Sequence, residues 1–182
     1  MRQYPDITEP ELIRQCKHGN LKYQELLYKQ FYGYAMGIGL RYSANRDDAL
    51  EVVNDAFIKV FNTIKSFDER LPLKPWLRRI LVNTAIDLRR KNSRNLAEAD
   101  LDEAVTISTP SAVLTQLHVE DILLMMNALP EINRLVFNLY EVDGYSHEEI
   151  SRMLQIAESS SRVYLSRAKE RLRKLILLHE KN

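Results

Sequence analysis

The sequence predicts an all-α protein of two small helical domains joined by an acidic linker, and three observations carry that prediction. Apolar residues recur at three and four positions nearly throughout the 182 residues, and no run of alternating apolar and polar residues marks a strand. That pattern lapses over residues 96–111, which lack aromatic residues and contain Pro110. Charge divides the chain at the same place. Residues 76–95 hold six basic side chains (Arg78, Arg79, Arg89, Arg90, Lys91, Arg94) against the single acid Asp87, and residues 162–181 hold seven against Glu170 and Glu180. Between them, residues 96–121 hold six acids and no Lys or Arg. The domains are therefore expected over residues 1–95 and 112–182, with residues 96–111 as a flexible connector. The net charge of +1 conceals two basic segments suited to a polyanion and a connector that a polyanion repels.

The elements follow in order. Thr8 and Glu11 have the spacing of a capping box ahead of Leu12, Ile13 and Cys16, and Gly19 with Asn20 closes this first helix. Tyr23, Leu26, Leu27, Phe31, Tyr34, Ala35 and Ile38 give the second helix its apolar side, and Gly33, Gly37 and Gly39 are expected to let a neighbouring helix approach closely. Gly37 and Gly39 follow no strand, so they make no dinucleotide-binding loop. Asn45 and Asp48 start a third helix that buries Ala49, Val52, Val53, Ala56, Phe57, Val60, Phe61 and Ile64 and turns Glu51, Asn54, Asp55 and Lys59 outward. Residues 66–75 read as a loop, because Pro72 and Pro75 bias their predecessors away from helix, and Pro75 suits the first turn of a basic fourth helix from Trp76 to about Asn92.

Beyond the connector a helical pattern resumes over residues 112–129. Pro130 opens a helix carrying Ile132, Leu135, Val136 and Leu139, which Asp143-Gly144 ends. Ser146 and Glu149 form a second capping-box pattern, opening a short helix with Ile150, Met153 and Leu154 inward. Residues 155–158 fit a tight turn in which Gln155 need not take positive φ, and Ser159 or Ser160 is expected to cap a final helix with Leu165, Ala168, Leu172, Leu175 and Ile176 inside. Helix, turn and basic helix form the helix-turn-helix pattern, whose second helix enters the major groove of DNA. An ordinary helical hairpin with a solvated basic face has the same local pattern.

Other function classes find little support. Cys16 is the single cysteine, and His18, His118, His147 and His179 are scattered without zinc spacing, so neither metal site nor cofactor is expected. No nucleophile elbow, phosphate loop or carboxylate pair points to an enzyme, so no catalytic residue is assigned. The opening MRQYPDITEP lacks an apolar signal core, and no run approaches the length of a spanning helix, so a cytoplasmic protein without membrane insertion is expected.

Three groups of residues resemble, in order, the motifs of the extracytoplasmic-function (ECF) sigma factors, the smallest type of the sigma-70 family. Residues 48–57, DALEVVNDAF, are similar to that family's second-region helix, with Leu50 where a Glu and Asn54 where a Gln is common. Leu73-Lys74-Pro75-Trp76-Leu77, Arg79-Ile80, Asn83 and Asp87-Leu88-Arg89-Arg90 look like the elements that follow it. Leu129-Pro130, Gly144-Tyr145-Ser146-His147-Glu148-Glu149-Ile150 and Arg167-Ala168-Lys169 resemble the fourth region. The resemblance covers nearly the whole chain.

It implies a transcription initiation factor, not an enzyme, built as a region 2 bundle and a region 4 helix-turn-helix. Its partners would be the beta and beta-prime subunits of core RNA polymerase, promoter DNA and an anti-sigma factor, with no small-molecule substrate. Leu50, Glu51, Asn54, Asp55 and Ile58 would dock on core polymerase. Phe67, Arg70, Lys74, Trp76, Arg78, Arg79, Asn83, Asp87 and Arg90 would hold the melted minus-ten element, with Trp76 equally placed for the core and Asp87 for anchoring an arginine. Ser159, Ser160, Arg162, Tyr164, Arg167, Lys169 and Arg171 would read the minus-thirty-five element as duplex. The alternative is a free-standing helix-turn-helix regulator with an N-terminal sensing or dimerising domain, which leaves the basic fourth helix without a role.

Overall fold

The computed structural model describes the backbone of residues 7–97 and 119–179, with side chains over 7–91 and 122–178. These residues are helical with no strand among them. The chain divides into two units, one ending at Lys91 and one beginning at Asn92. Most of the connector, together with residues 112–118 of the helical pattern read after it, lies outside the described residues.

The first unit is a four-helix assembly of α1 (Glu9–Lys17), α2 (Leu21–Tyr42), α3 (Arg46–Thr63) and α4 (Leu73–Ala97) as far as Lys91. Thr8 stands at the N-cap of α1, but its side chain makes no capping bond. The expected capping box is absent because Glu11 faces along the helix, accepting from Arg14 at 2.8 Å and Gln15 at 2.9 Å. After Gly19, at φ +75°, the Asn20 side chain accepts the Lys22 amide and starts α2 rather than ending α1. At the head of α3, Asn45 accepts the Asp48 amide at 2.9 Å, as its spacing predicts.

Packing of α2 on α3 turns on one glycine. A Cβ on Gly39 would stand 2.9 Å from the Ala49 carbonyl oxygen, whereas one on Gly33 or Gly37 would meet nothing within 4 Å. Only Gly39 therefore serves close approach; the other two lie on the exposed side of α2. The inward residues of α3 and the following 3-10 turn (Ile64–Ser66) are those the periodicity selects, and Phe57 and Ile64 are among the most deeply buried side chains. The fourth helix starts at Leu73 rather than Trp76 and runs through Leu96 and Ala97, two residues into the predicted connector. Pro75 sits in its first turn, where a missing amide costs nothing, and Leu73, Leu77, Leu81, Val82, Ala85 and Ile86 form its buried side.

The second unit contains α5 (Val119–Asn127), α6 (Glu131–Phe137), α7 (His147–Leu154) and α8 (Glu158–His179). Met126 and Leu129 pack with Ala168 of α8, and Phe137 and Leu172 close over them. Arg134, buried in α6, donates to the Asn127 side chain of α5. Residues Asn138–Val142 continue α6 as a wider π-type turn, in which the Asp143 amide reaches back to the Asn138 carbonyl at 2.9 Å. Periodicity gives no sign of that bulge. Gly144, at φ +76°, then redirects the chain into α7, where Ser146 and Glu149 form the predicted capping box.

Two details of the turn into α8 depart from the sequence reading. Gln155 takes the left-handed conformation, φ 55° and ψ 43°, because the chain must reverse within three residues and no glycine is present to do it. Ser159 and Ser160 fall inside the first turn of α8, which begins at Glu158, so neither is its cap. Ile176, expected inside, is at the exposed end of α8 together with Leu177 and Leu178.

Candidate nucleic-acid interface

Three exposed surfaces are built by these helices. On α3, Leu50, Asn54 and Ile58 follow one another at four-residue spacing, with Glu51 and Asp55 in the adjacent row. Leu50 is 37% and Ile58 59% exposed, on the side away from the buried row of Val53, Ala56 and Val60. The Asn54 amide is fixed from α2, its Oδ1 accepting the Tyr28 hydroxyl at 3.0 Å, while the Tyr28 ring packs on Phe57 at 4.7 Å. Apolar groups beside carboxylates suit a protein partner and repel a phosphate backbone.

The second surface is the segment from Phe67 to α4. Lys17 of α1 spans to it, donating to the Phe67 carbonyl at 2.7 Å and pairing with Glu69 at 2.9 Å. Glu9 accepts the Leu73 amide at 3.4 Å, so α1 holds both ends of the loop. Within it Arg70 grips Asp68 with two guanidinium nitrogens, at 2.9 and 2.6 Å, and holds that carboxyl below the usual carboxylate range. Along α4, Arg79, Asn83 and Asp87 lie at four-residue intervals on one exposed line. Asp87 is bridged to Lys59 of α3 at 3.1 Å and approached by Arg90 at 4.0 Å. Lys74 lies over the Tyr34 ring, 5.8 Å from its centroid.

The third surface is α7, its turn and α8. The turn is closed by the Ile156 amide on the Ser151 carbonyl at 3.2 Å and by the Ser151 hydroxyl on the Ile156 carbonyl at 2.6 Å. His147 joins the two helices: its ring stacks on Tyr140 at 4.4 Å, and its Nδ1 stands 2.9 Å from the Oγ of Ser161, which is wholly buried. With Ser161, Leu165 and Ala168 inward, the opposite side of α8 presents Ser159, Arg162, Val163, Ser166 and Arg167. This is the arrangement of a helix-turn-helix with an open second helix.

Sequence models of protein families agree with this division. The model for sigma-70 region 2 matches residues 27–95, and that for sigma-70 region 4 matches residues 120–172. The chain belongs to the sigma-70 family. It is an ECF sigma factor, 27% identical over 176 residues to the ECF RNA polymerase sigma-E factor of Haemophilus influenzae, covering 90% of this chain and 93% of that one. The corresponding protein of Escherichia coli strain K12 is 28% identical over 176 residues, covering 90% of this chain and 92% of that one. Among solved structures, the sigma factor RpoE in complex with the anti-sigma factor NepR from Bartonella quintana has the same fold. It is 24% identical, with a TM-score of 0.56, covering 84% of this chain and 95% of that one.

Of the region 2 residues selected from sequence, Leu50, Glu51, Asn54 and Ile58 are exposed and Asp55 is half-buried on one side of α3. Arg70, Lys74, Arg79, Asn83 and Asp87 are exposed, while Trp76, Arg78 and Arg90 are half-buried. Phe67 is a correction: it is 4% exposed and its ring meets Trp76 at 4.8 Å, so it belongs to the core and supports the loop from beneath. In region 4, Ser159, Arg162, Arg167 and Arg171 are exposed and Ser160, Tyr164 and Lys169 half-buried. Arg162 pairs with Glu158 one turn away and Lys169 with Glu141 of the π-type turn. Arg171 donates to the Ala128 carbonyl at 3.3 Å.

Sequence reasoning missed Lys17 and Glu9 as supports of the loop, since a contact spanning fifty residues leaves no local pattern. It also passed over Val163 and Ser166. Their signal was available, because both lie about half a turn from the inward Ser161, Leu165 and Ala168. No helix among the described residues is long and apolar enough to cross a membrane.

Proposed function

We propose that this transcription initiation factor binds core RNA polymerase and carries it to promoters through two separate DNA contacts. In this reading residues 1–95 form the region 2 domain, residues 96–111 the connector and residues 112–182 the region 4 domain. The α3 surface of Leu50, Glu51, Asn54, Asp55 and Ile58 is the docking face for the beta and beta-prime subunits. Arg70, Lys74, Trp76, Arg78, Arg79, Asn83, Asp87 and Arg90 hold the opened minus-ten element. Ser159, Ser160, Arg162, Tyr164, Arg167, Lys169 and Arg171 face the minus-thirty-five element as duplex. An anti-sigma factor that covers these surfaces completes the set of partners.

The observation that carries the reading is the segregation of chemistry among exposed faces. The α3 face joins carboxylates to apolar groups, whereas α4 carries exposed Lys74, Arg79 and Lys91 beside half-buried Arg78, Arg89 and Arg90, and the outer side of α8 is rich in Arg, as a protein partner and a nucleic-acid partner respectively require. Extruding a base costs a few kcal/mol, which a fitted pocket and phosphate contacts must offset. The loop ahead of α4 would supply a phosphate contact, since Arg70 can exchange its exposed bond with Asp68 for a phosphate at little net cost.

Reconstituted transcription tests the reading. The purified chain, added to core polymerase on a promoter library, is expected to give initiation at a restricted set of sequences. Duplex binding with no effect on polymerase would favour the free-standing regulator instead.

A further inference from the structure

Val163 is an apolar residue on the outward side of α8. It is 45% exposed on α8, about 200° around the helix from Ser161 and Leu165, which face inward. A β-branched residue there lowers helix propensity and leaves nearly half of its surface uncovered within the unit. Its neighbours on the same side are Ser159 one turn before and Ser166 and Arg167 one turn after, with Arg162 beside it. The outward centre of this N-terminal stretch is thus one small apolar side chain between two hydroxyls, bordered by guanidinium groups. Glu170, further along the same line, is held by Lys174 at 2.8 Å.

Resting on the reading of α7 and α8 as the duplex-binding element, we infer that Val163 sets promoter choice by packing against the 5-methyl group of a thymine in the major groove. Thymine is the one base that offers an apolar group there, and a branched aliphatic side chain on the groove-facing line has no hydrogen bond to give the other three. The two arginines neutralise the adjoining phosphates and hold α8 in register, which carries no sequence preference of its own. Ser159 and Ser166 are short enough to let the valine reach the groove floor.

The full chain, assembled with core polymerase, is first used to select its preferred upstream element from templates randomised at those positions. Each thymine of that element is then replaced by uracil, which removes only the methyl group, and each cytosine by 5-methylcytosine, which adds one. At one thymine the uracil template is expected to bind about fourfold more weakly, the worth of one buried methyl. In Val163→Ala the thymine and uracil templates at that position are expected to bind alike. Because the side chain is exposed and alanine favours helix, the variant keeps or raises its unfolding midpoint, which separates a lost contact from a lost fold. Selected elements without methyl sensitivity, or with equal sensitivity in wild type and Val163→Ala, overturn the inference and leave the duplex-binding reading standing. Selection of no upstream sequence at all overturns that reading and the inference with it.

Discussion

At the scale of single residues, the turn before α8 carries a cost that one substitution removes. Gln155 is the one non-glycine residue with positive φ among the described residues, and a side chain in the left-handed region is disfavoured by about 1–2 kcal/mol. Replacement by glycine also loosens the unfolded chain, which returns part of that gain. Gln155→Gly is expected to stabilise the second unit by about 1 kcal/mol, read from chemical denaturation followed by circular dichroism. His147 gives the same unit a pH dependence. Burial and the nearby Arg162 hold its imidazole below the ordinary 6.5, with Glu158 opposing them. The folded protein therefore prefers the neutral ring, and the unfolded chain takes up a proton at higher pH than the folded one. Stability from this group is complete above the unfolded pKa and declines as pH falls below about 6.5 toward the folded value. Denaturation midpoints at about pH 7.5 and pH 5.5 should show that decline. His147→Asn, which keeps a polar atom near Ser161 and removes the titrating group, should reduce it.

At the scale of elements, α1 acts as a brace for the loop ahead of α4. Lys17 satisfies the Phe67 carbonyl and the Glu69 carboxylate together, holding that carboxyl below its usual range, and its side chain is 21% exposed. Lys17→Met should cost about 1.5–3 kcal/mol, the usual worth of a hydrogen bond to a charged group. Hydrogen exchange should then quicken over residues 67–72 while α2 and α3 stay protected. If the loop holds the opened strand, single-stranded minus-ten DNA should bind less well, with core affinity unchanged. Equal exchange in both proteins would remove Lys17 from this role. Helix identity and the inward faces were legible beforehand, because residues such as Val53, Phe57, Leu135 and Ile150 obey a strict period and bury accordingly. What escaped was set by tertiary demands. The reach of Lys17, the π-type turn at Asn138 and the left-handed Gln155 depend on where distant backbone must go, and no local spacing encodes them. Phe67 was misplaced for a related reason: a loop aromatic reads as a surface contact until Trp76 is found lying against it.

At the scale of the whole molecule, recruitment of polymerase and recognition of DNA are assigned to faces of opposite chemistry, so they should separate by mutation. Glu51 is exposed and Asp55 half-buried on the outer side of α3, and neither residue type is needed by the core beneath, which is Ala49, Val52, Val53, Ala56, Phe57 and Val60. Glu51→Arg with Asp55→Arg should therefore leave helicity and the unfolding midpoint within about 0.5 kcal/mol of the parent. If α3 is the docking face, two reversed charges there should weaken core binding more than tenfold, through unfavourable pairing with a surface complementary to the original acids. Binding to duplex should persist or rise, because a basic α3 adds to the attraction for phosphate. The measurement is a pair of titrations on one preparation, against core polymerase and against DNA. Unchanged core affinity would move the docking face away from α3. A parallel fall in both affinities would show that the reversals act through the fold, because α3 and α8 belong to different units.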